Sequence, residues 1–184
     1  MYYGEELGMR TTDPARIEDV HDPMGKIGLP KEKGRDGERT PMQWDGSKEA
    51  GFTIAAKPWL PIPSNAVAYN VEAEAKDPDS IYIAYKLLLT LRKFEAALGD
   101  GSYEALNEDD PNVFAYLRRS GDSTILVALN MSGQPRTVAF QLEGKGVAGS
   151  TATPLYSSPS SAQSSIQLQH VELAPFGALV AAVR

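Results

Sequence analysis

The chain has 184 residues, of which 42% are hydrophobic and 23% are charged, a composition typical of soluble globular proteins. Its net charge of −6 is spread evenly, with 13 basic and 16 acidic side chains up to residue 99 and 5 and 8 beyond it, so no basic surface favours nucleic acid. The sequence has no cysteine, which excludes disulfides and cysteine-bound zinc; no apolar run suits a membrane span, and a complete eightfold barrel typically needs about 250 residues.

Residues 1–99 are predicted to be a long irregular segment followed by one helix. The segment 10–79 is rich in Pro and Gly and keeps neither a helical nor a strand period, which is unusual inside a compact domain. A helix over 80–98, capped by Asp77 and ended by Gly99, is predicted from apolar residues at helical spacing. Because apolar residues cover more than one face of this helix, we expect one apolar face to stay exposed and to promote self-association.

Residues 100–184 are predicted to form an antiparallel β-sandwich of the Greek-key type, because the apolar period changes to two. A hairpin turn is expected at 120–122. The glycine pattern at 144–149 is followed by no helix signal and is interpreted as a chance loop rather than a dinucleotide site. The predicted strands are Ser102–Asn107, Asn112–Arg119, Thr124–Asn130, Arg136–Leu142, Thr153–Tyr156, Ser165–Leu173 and Gly177–Val183.

The densest cluster of candidate site residues lies at 34–44, where two arginines, two acids and a tryptophan fall close together. Guanidinium groups suit hydroxyls, and an indole suits the apolar face of a sugar. An ion-paired loop beneath a buried Trp explains the cluster equally well. The two histidines, His21 and His170, are far apart and predict neither a metal site nor a nucleophilic triad, and we expect no cofactor.

The spacing of the loop motifs resembles glycoside hydrolase family 13, most closely its α-glucosidase and oligo-1,6-glucosidase branch. The residues that carry the resemblance lie at 2–9, 22–25, 34–44, 50–52, 58–61, 70–72, 79–93 and 101–130. The resemblance implies the last loop and last helix of a (β/α)8 barrel, whose remainder is absent from this chain, followed by a β-domain. It implies a retaining α-glucosidase that acts on the non-reducing ends of α-linked glucose oligosaccharides.

The resemblance also implies that the catalytic Asp, Glu and Asp all precede Met1, so no catalytic residue is expected in this chain, which alone should be inactive. Arg35 matches the family arginine that holds the glucose at subsite −1, while Arg39 and Trp44 are expected to brace the loop by ion pairing and packing. Glu5 and Glu6 match positions outside the catalytic pair. Family habit and the absence of cysteine suggest a cytoplasmic protein.

Two alternatives stay open. A transglycosylating or isomerising relative such as trehalose synthase would share the 39–44 block. A stand-alone carbohydrate-binding or structural β-module is the alternative of another class. For the binding module we expect little aromatic platform, since Phe114 and Tyr116 are predicted to offer at most one ring to each side of their strand, and this favours a structural role.

Overall fold

The computed structural model describes residues 1–183 and divides into two compact units, Met1–Tyr85 and a second unit that starts at Lys86. The sequence places its domain boundary after residue 99, and that boundary stays a prediction. No helix among the described residues is long and apolar enough to cross a membrane.

The first unit consists mainly of turns and loops around short helices. The helices are the 3-10 turns Glu5–Leu7, Ile17–Asp19 and Asp36–Glu38 and the α-helices α1 (Pro23–Gly28) and α2 (Val71–Glu74). The fully buried Leu7, Val20 and Leu60 lie far apart in sequence. The core of this unit is therefore assembled from loops, which is why no sequence period marks it.

The helix predicted at 80–98 is two helices, α3 (Ile81–Phe94) and α4 (Ala96–Asp100), separated at Glu95, whose backbone is extended. The predicted cap is also wrong: Ser80 Oγ accepts a hydrogen bond from the Ile83 N–H, while Asp77 closes the preceding turn by accepting from the Asp79 N–H. Gly99 lies inside α4 and does not end the helix. Ser and Asp are both good N-caps, so a sequence that offers both leaves the start undecided.

The strands of the second unit are β1 Ser102–Leu106, β2 Val113–Ser120, β3 Ser123–Asn130, β4 Arg136–Val138, β5 Thr151–Ser158, β6 Ile166–Gln167, β7 Val171–Leu173 and β8 Ala178–Val183. They form a six-stranded antiparallel sheet in the order β1-β2-β3-β8-β5-β6 and a two-stranded ribbon of β4 and β7. The mainly antiparallel C-terminal β-domain is thus confirmed. The hairpin at 120–122 is confirmed as well, with Gly121 at φ +54°.

Two predicted strands differ in the structure. The strand predicted at Ser165–Leu173 is interrupted by a turn, after which β7 pairs with β4 of the ribbon while β6 pairs with β5 of the larger sheet. The strand predicted at Arg136–Leu142 stops at Val138, although the Phe140 N–H still donates to the Leu168 carbonyl at 2.7 Å. The alternation of apolar and polar residues thus continues beyond the end of a strand, so the pattern alone does not show where the strand stops.

The main core lies where the inward faces of both sheets meet, around buried residues such as Leu117, Leu126, Phe140, Leu168 and Val171. The opposite face of the larger sheet packs with α4 through Ala97, Ile125, Val127 and Val180. An isolated sheet of this size needs such cover on its apolar faces.

The prediction that Phe114 and Tyr116 face opposite sides of their strand is wrong. Residues two apart in a strand share a face, and the two rings lie 5.4 Å apart between centroids, with Tyr103 on the neighbouring strand 5.1 Å from Tyr116. Phe114 and Tyr103 are exposed, whereas Tyr116 packs with the cluster beneath α4.

Candidate substrate-binding loop

Two buried carboxylates, Asp22 and Asp36, organise the cluster predicted at 34–44. The Asp36 carboxylate accepts hydrogen bonds from the His21 N–H at 2.6 Å and the Asp22 N–H at 2.9 Å. Both aspartates are almost inaccessible to solvent. Because buried backbone N–H groups need partners, Asp36 fixes the segment 21–22 against its own turn.

Asp22 in turn holds Arg35 and caps α1. Its Oδ1 accepts from the Met24 N–H at 2.9 Å, as an N-cap does, and its Oδ2 accepts from the Arg35 N–H at 2.9 Å and from Arg35 Nε at 3.3 Å. One carboxylate therefore fixes both the backbone and the side chain of Arg35.

The far end of Arg35 points to solvent. Its side chain is 64% exposed, and the two η nitrogens make no hydrogen bond or ion pair with any residue in the described part of the chain. These N–H groups can donate to the hydroxyls of a ligand while Nε anchors the plane of the guanidinium. Arg35 is thus held in place at Nε, while its two η nitrogens remain available to donate hydrogen bonds.

The glycine at position 34 is required by this arrangement. Gly34 has φ +72°, a backbone conformation that residues other than glycine adopt only with strain. A Cβ atom there would lie 2.9 Å from the Gly25 nitrogen and 3.0 Å from Asp22 Cβ. A larger residue would therefore push Asp22 away from Arg35.

The pKa of Asp22 is lowered below its ordinary value, chiefly by hydrogen bonds from the Met24 and Arg35 N–H groups and further by the Arg35 side chain. A carboxyl with a lowered folded-state pKa contributes stability above its unfolded pKa and loses that contribution as the pH falls through the folded value. The hold on Arg35 should therefore be complete at neutral pH.

We expect acid to release Arg35 only below about pH 4, the ordinary range of an Asp carboxyl, because the pKa of Asp22 is lowered. The signal of the Arg35 Nε–H group in ¹H–¹⁵N spectra should stay unchanged from neutral pH down to that range and weaken below it as Asp22 is protonated. The variant Asp22→Asn should show the weakened signal already at neutral pH. A signal that stays unchanged in that variant would contradict the role given to Asp22.

Arg39 and Trp44 are placed differently from Arg35. Within residues 1–183 no carboxylate oxygen forms an ion pair with Arg39, although this guanidinium opposes the rise in the pKa of Tyr3 that burial and Tyr2 cause. Trp44 is half exposed, while its backbone N–H donates to the Ala50 carbonyl at 2.8 Å. Their bracing roles stay predictions.

Gln43 and Asn70 lie in the motifs at 34–44 and 70–72, but the sequence assigned neither of them a structural role. Gln43 is fully buried and its side-chain amide donates to the Tyr69 carbonyl. Asn70 caps α2 by accepting from the Ala73 N–H at 2.9 Å. The Asn70 cap was detectable as an Asn before a short helical stretch, but nothing local signals Gln43.

Other acidic side chains of the first unit make local contacts. Glu6 accepts from the Gly4 N–H at 2.9 Å, and Asp45 accepts from the Ser47 N–H at 2.8 Å. His21 lies beside Trp59, with ring centroids 6.1 Å apart. No group of three or more His, Asp or Glu side chains in the described residues could hold a metal ion.

Comparison with known families identifies the class of protein. The sequence model of the alpha-amylase catalytic domain matches residues 1–101, and that of the maltogenic amylase C-terminal domain matches residues 103–180. The chain belongs to the alpha-amylase family, glycoside hydrolase family 13, as the loop motifs indicate.

Two relatives by sequence and one solved structure show which kinds of enzyme the chain is similar to. The chain is 41% identical over 150 residues to an oligo-1,6-glucosidase of Halalkalibacterium halodurans, which covers 73% of this chain and 27% of that enzyme. It is 37% identical to a trehalose-6-phosphate hydrolase of Bacillus subtilis over 72% of this chain and 26% of that enzyme. The trehalulose synthase MutB of Pseudomonas mesoacidophila matches with a TM-score of 0.80 and 29% identity, over 98% of this chain and 34% of that one.

The chain spans about a quarter of the length of these curated relatives. The two family matches together account for residues 1–101 and 103–180 of the chain. Family membership is therefore settled for this chain, whereas the activity of a whole enzyme is inferred.

Proposed function

We propose that this chain is the C-terminal portion of a retaining α-glucosidase that removes glucose from the non-reducing ends of α-linked oligosaccharides. The observation that carries the proposal is Arg35, whose Nε is fixed by Asp22 at 3.3 Å while its outer nitrogens face solvent. The similarity to oligo-1,6-glucosidases supports this substrate class.

The residues of this chain bind and orient in the proposed reaction. In a retaining mechanism one carboxylate attacks the sugar while a second carboxyl acts first as acid and then as base. On this proposal, these carboxyl groups belong to a part of the enzyme upstream of the matched portion. Arg35 would donate hydrogen bonds to the hydroxyls of the terminal glucose, and Asp22 would keep the guanidinium from turning away. On this proposal the chain alone does not hydrolyse glucosides.

Two proteins test the proposal. The isolated chain should release no nitrophenol from p-nitrophenyl α-glucoside above an empty-vector control. A chimera that joins the upstream part of the Halalkalibacterium halodurans oligo-1,6-glucosidase to this chain should release it. Turnover by the isolated chain would overturn the assignment of the catalytic groups, and a folded chimera without activity toward any α-glucoside would overturn the proposed function.

An isomerising or transglycosylating activity is the second candidate. The similarity in fold to trehalulose synthase, at 29% identity over 98% of this chain, favours it. Sucrose separates the two, because an isomerase converts it mainly into another disaccharide whereas a glucosidase releases glucose and fructose. Chromatography of the products formed by the chimera therefore decides between them.

For the β-domain we propose a structural role rather than that of a stand-alone carbohydrate-binding module. Tyr116, the central ring of its aromatic row, packs with the cluster beneath α4, which leaves Tyr103 and Phe114 as separate exposed rings.

We also propose a cytoplasmic protein that binds neither nucleic acid nor membranes, in keeping with its even charge and its lack of cysteine.

We propose that α3 mediates self-association of the isolated chain. None of its fourteen residues is buried, and Leu87, Leu89 and Phe94 are exposed, although a helix so rich in Leu is normally covered. The variant Leu89→Glu should shift sedimentation toward the monomer. The neighbouring exposed Thr90→Glu adds the same charge without removing apolar surface, and an equal shift in both variants would contradict the proposal.

A further inference from the structure

A cavity of about 540 Å³ lies in the first unit, between the segments 12–19, 48–49 and 57–62. Arg35 does not line it, so it is separate from the loop described above. Its volume falls within the range of about 300–1,000 Å³ that small-ligand sites occupy. It is large enough for a short oligosaccharide.

One wall of the cavity is aromatic and rigid. Trp59 is 52% exposed and stands between Pro58 and the buried Leu60, with Pro61 following. Because proline fixes the backbone dihedral φ, the indole is presented from a stiff segment. A half-exposed indole offers an apolar face that suits the C–H face of a pyranose ring and a polar edge that can stay in water.

The rim of the cavity carries polar side chains that hydrogen-bond to one another. Asp19 accepts from Arg16 Nε at 2.8 Å and from Lys57 Nζ at 2.9 Å. These two cations lower the pKa of Asp19 to about 2, so the carboxylate remains charged at neutral pH. Arg16 and Lys57 have further N–H groups, and Asp19 has further lone pairs. Sugar hydroxyls, which both donate and accept, can bridge such an ion pair.

The charges around the cavity balance. Its lining carries three cations, Arg16, Lys48 and Lys57, and three carboxylates, Asp13, Asp19 and Glu49. A site for a phosphorylated sugar would show an excess of positive charge. The balance therefore favours an uncharged ligand over a sugar phosphate.

We infer that the Trp59 cavity is a second carbohydrate site, which binds a neutral disaccharide by stacking on the indole and hydrogen bonding to the Arg16–Asp19–Lys57 rim. The inference goes beyond the proposed glucosidase function, since binding here requires neither Arg35 nor the upstream catalytic groups. The class of ligand is set by the apolar wall, the paired polar rim and the absence of net charge.

The two tryptophans of the chain make the test specific. Each gives one indole N–H signal in ¹H–¹⁵N spectra, and Trp59→Phe assigns them. Titration of the isolated chain with isomaltose or maltose should move the Trp59 signal with saturation, at a dissociation constant on the order of 1 mM. Glucose 6-phosphate should bind at least several-fold more weakly than the disaccharides.

A matched pair of lysine variants tests the rim. Lys57 and Lys76 each form one ion pair at 2.9 Å and have side chains 73% and 71% exposed. Lys57→Gln should weaken isomaltose binding about fivefold, as expected for the loss of one charged hydrogen bond at an exposed site, whereas Lys76→Gln should leave it unchanged.

Three results would overturn the inference. The Trp59 signal could show no saturable shift with either disaccharide, glucose 6-phosphate could bind more tightly than both, or the shifts could fall on Trp44 or on β1 and β2 instead. Each is distinguishable from failure of the glucosidase proposal, which is judged by the activity of the chimera.

Discussion

Replacing Asp36 with alanine is expected to lower the free energy of opening of the segment 21–37 by about 2–4 kcal/mol. The reason is that two backbone N–H groups lose their acceptor, the buried one of Asp22 and the part-buried one of His21. An unsatisfied buried donor costs about 1–3 kcal/mol, and a part-buried donor costs less because water can reach it. The loss should also reach Arg35, because Asp22 is then no longer held in place.

Hydrogen exchange of backbone amides measures this effect directly. The amides of residues 21–24 and 34–37 should exchange faster in Asp36→Ala, while those of β2 and β3 keep their rates. Asp45→Ala is the control, since Asp45 accepts from the exposed Ser47 N–H and lies in the same unit. If both variants have similarly small effects, Asp36 is not the residue that organises the loop.

The β-domain could be predicted from sequence because its strands bury alternate residues. Ala115, Leu117, Leu126 and Ala128 lie in the core, and this period of two is readable without a structure. The turn before β7 escaped detection because Leu168, within it, is also buried. The run of apolar residues thus continues from β6 in the larger sheet to β7 in the ribbon, and the sequence pattern does not show the turn between them.

The candidate site could be predicted only in part. Local density of Arg, Asp and Trp and the family resemblance both indicate the segment 34–44, but the partner of Arg35 lies thirteen residues earlier. Sequence spacing carries no signal for such a contact, since irregular segments have no repeat that relates distance along the chain to distance in space. Asp22 belongs to the motif at 22–25 and stands where an N-cap of α1 is expected, but neither signal reveals its contact with Arg35.

In the active chimera, Arg35→Ala is expected to lower kcat/KM for isomaltose about 30- to 150-fold. The estimate follows from the loss of hydrogen bonds from a charged donor, worth about 2–3 kcal/mol in a closed site, since each 1.36 kcal/mol is about tenfold in rate. Arg35→Lys keeps the charge but loses the planar fork, so it should recover only part of the loss. Steady-state kinetics with isomaltose measure both variants.

The matched control for Arg35 is Arg39→Ala, because Arg39 lies in the same segment and Asp22 does not hold it. If Arg35 contacts the sugar, its replacement should affect kcat/KM far more than that of Arg39 while leaving the melting temperature of the chimera close to the parent value. Asp22→Asn should fall between them, since the guanidinium stays present but loses its anchor at Nε. Equal losses in Arg35→Ala and Arg39→Ala would mean that the segment acts as a whole and that the free fork of Arg35 is not the substrate contact.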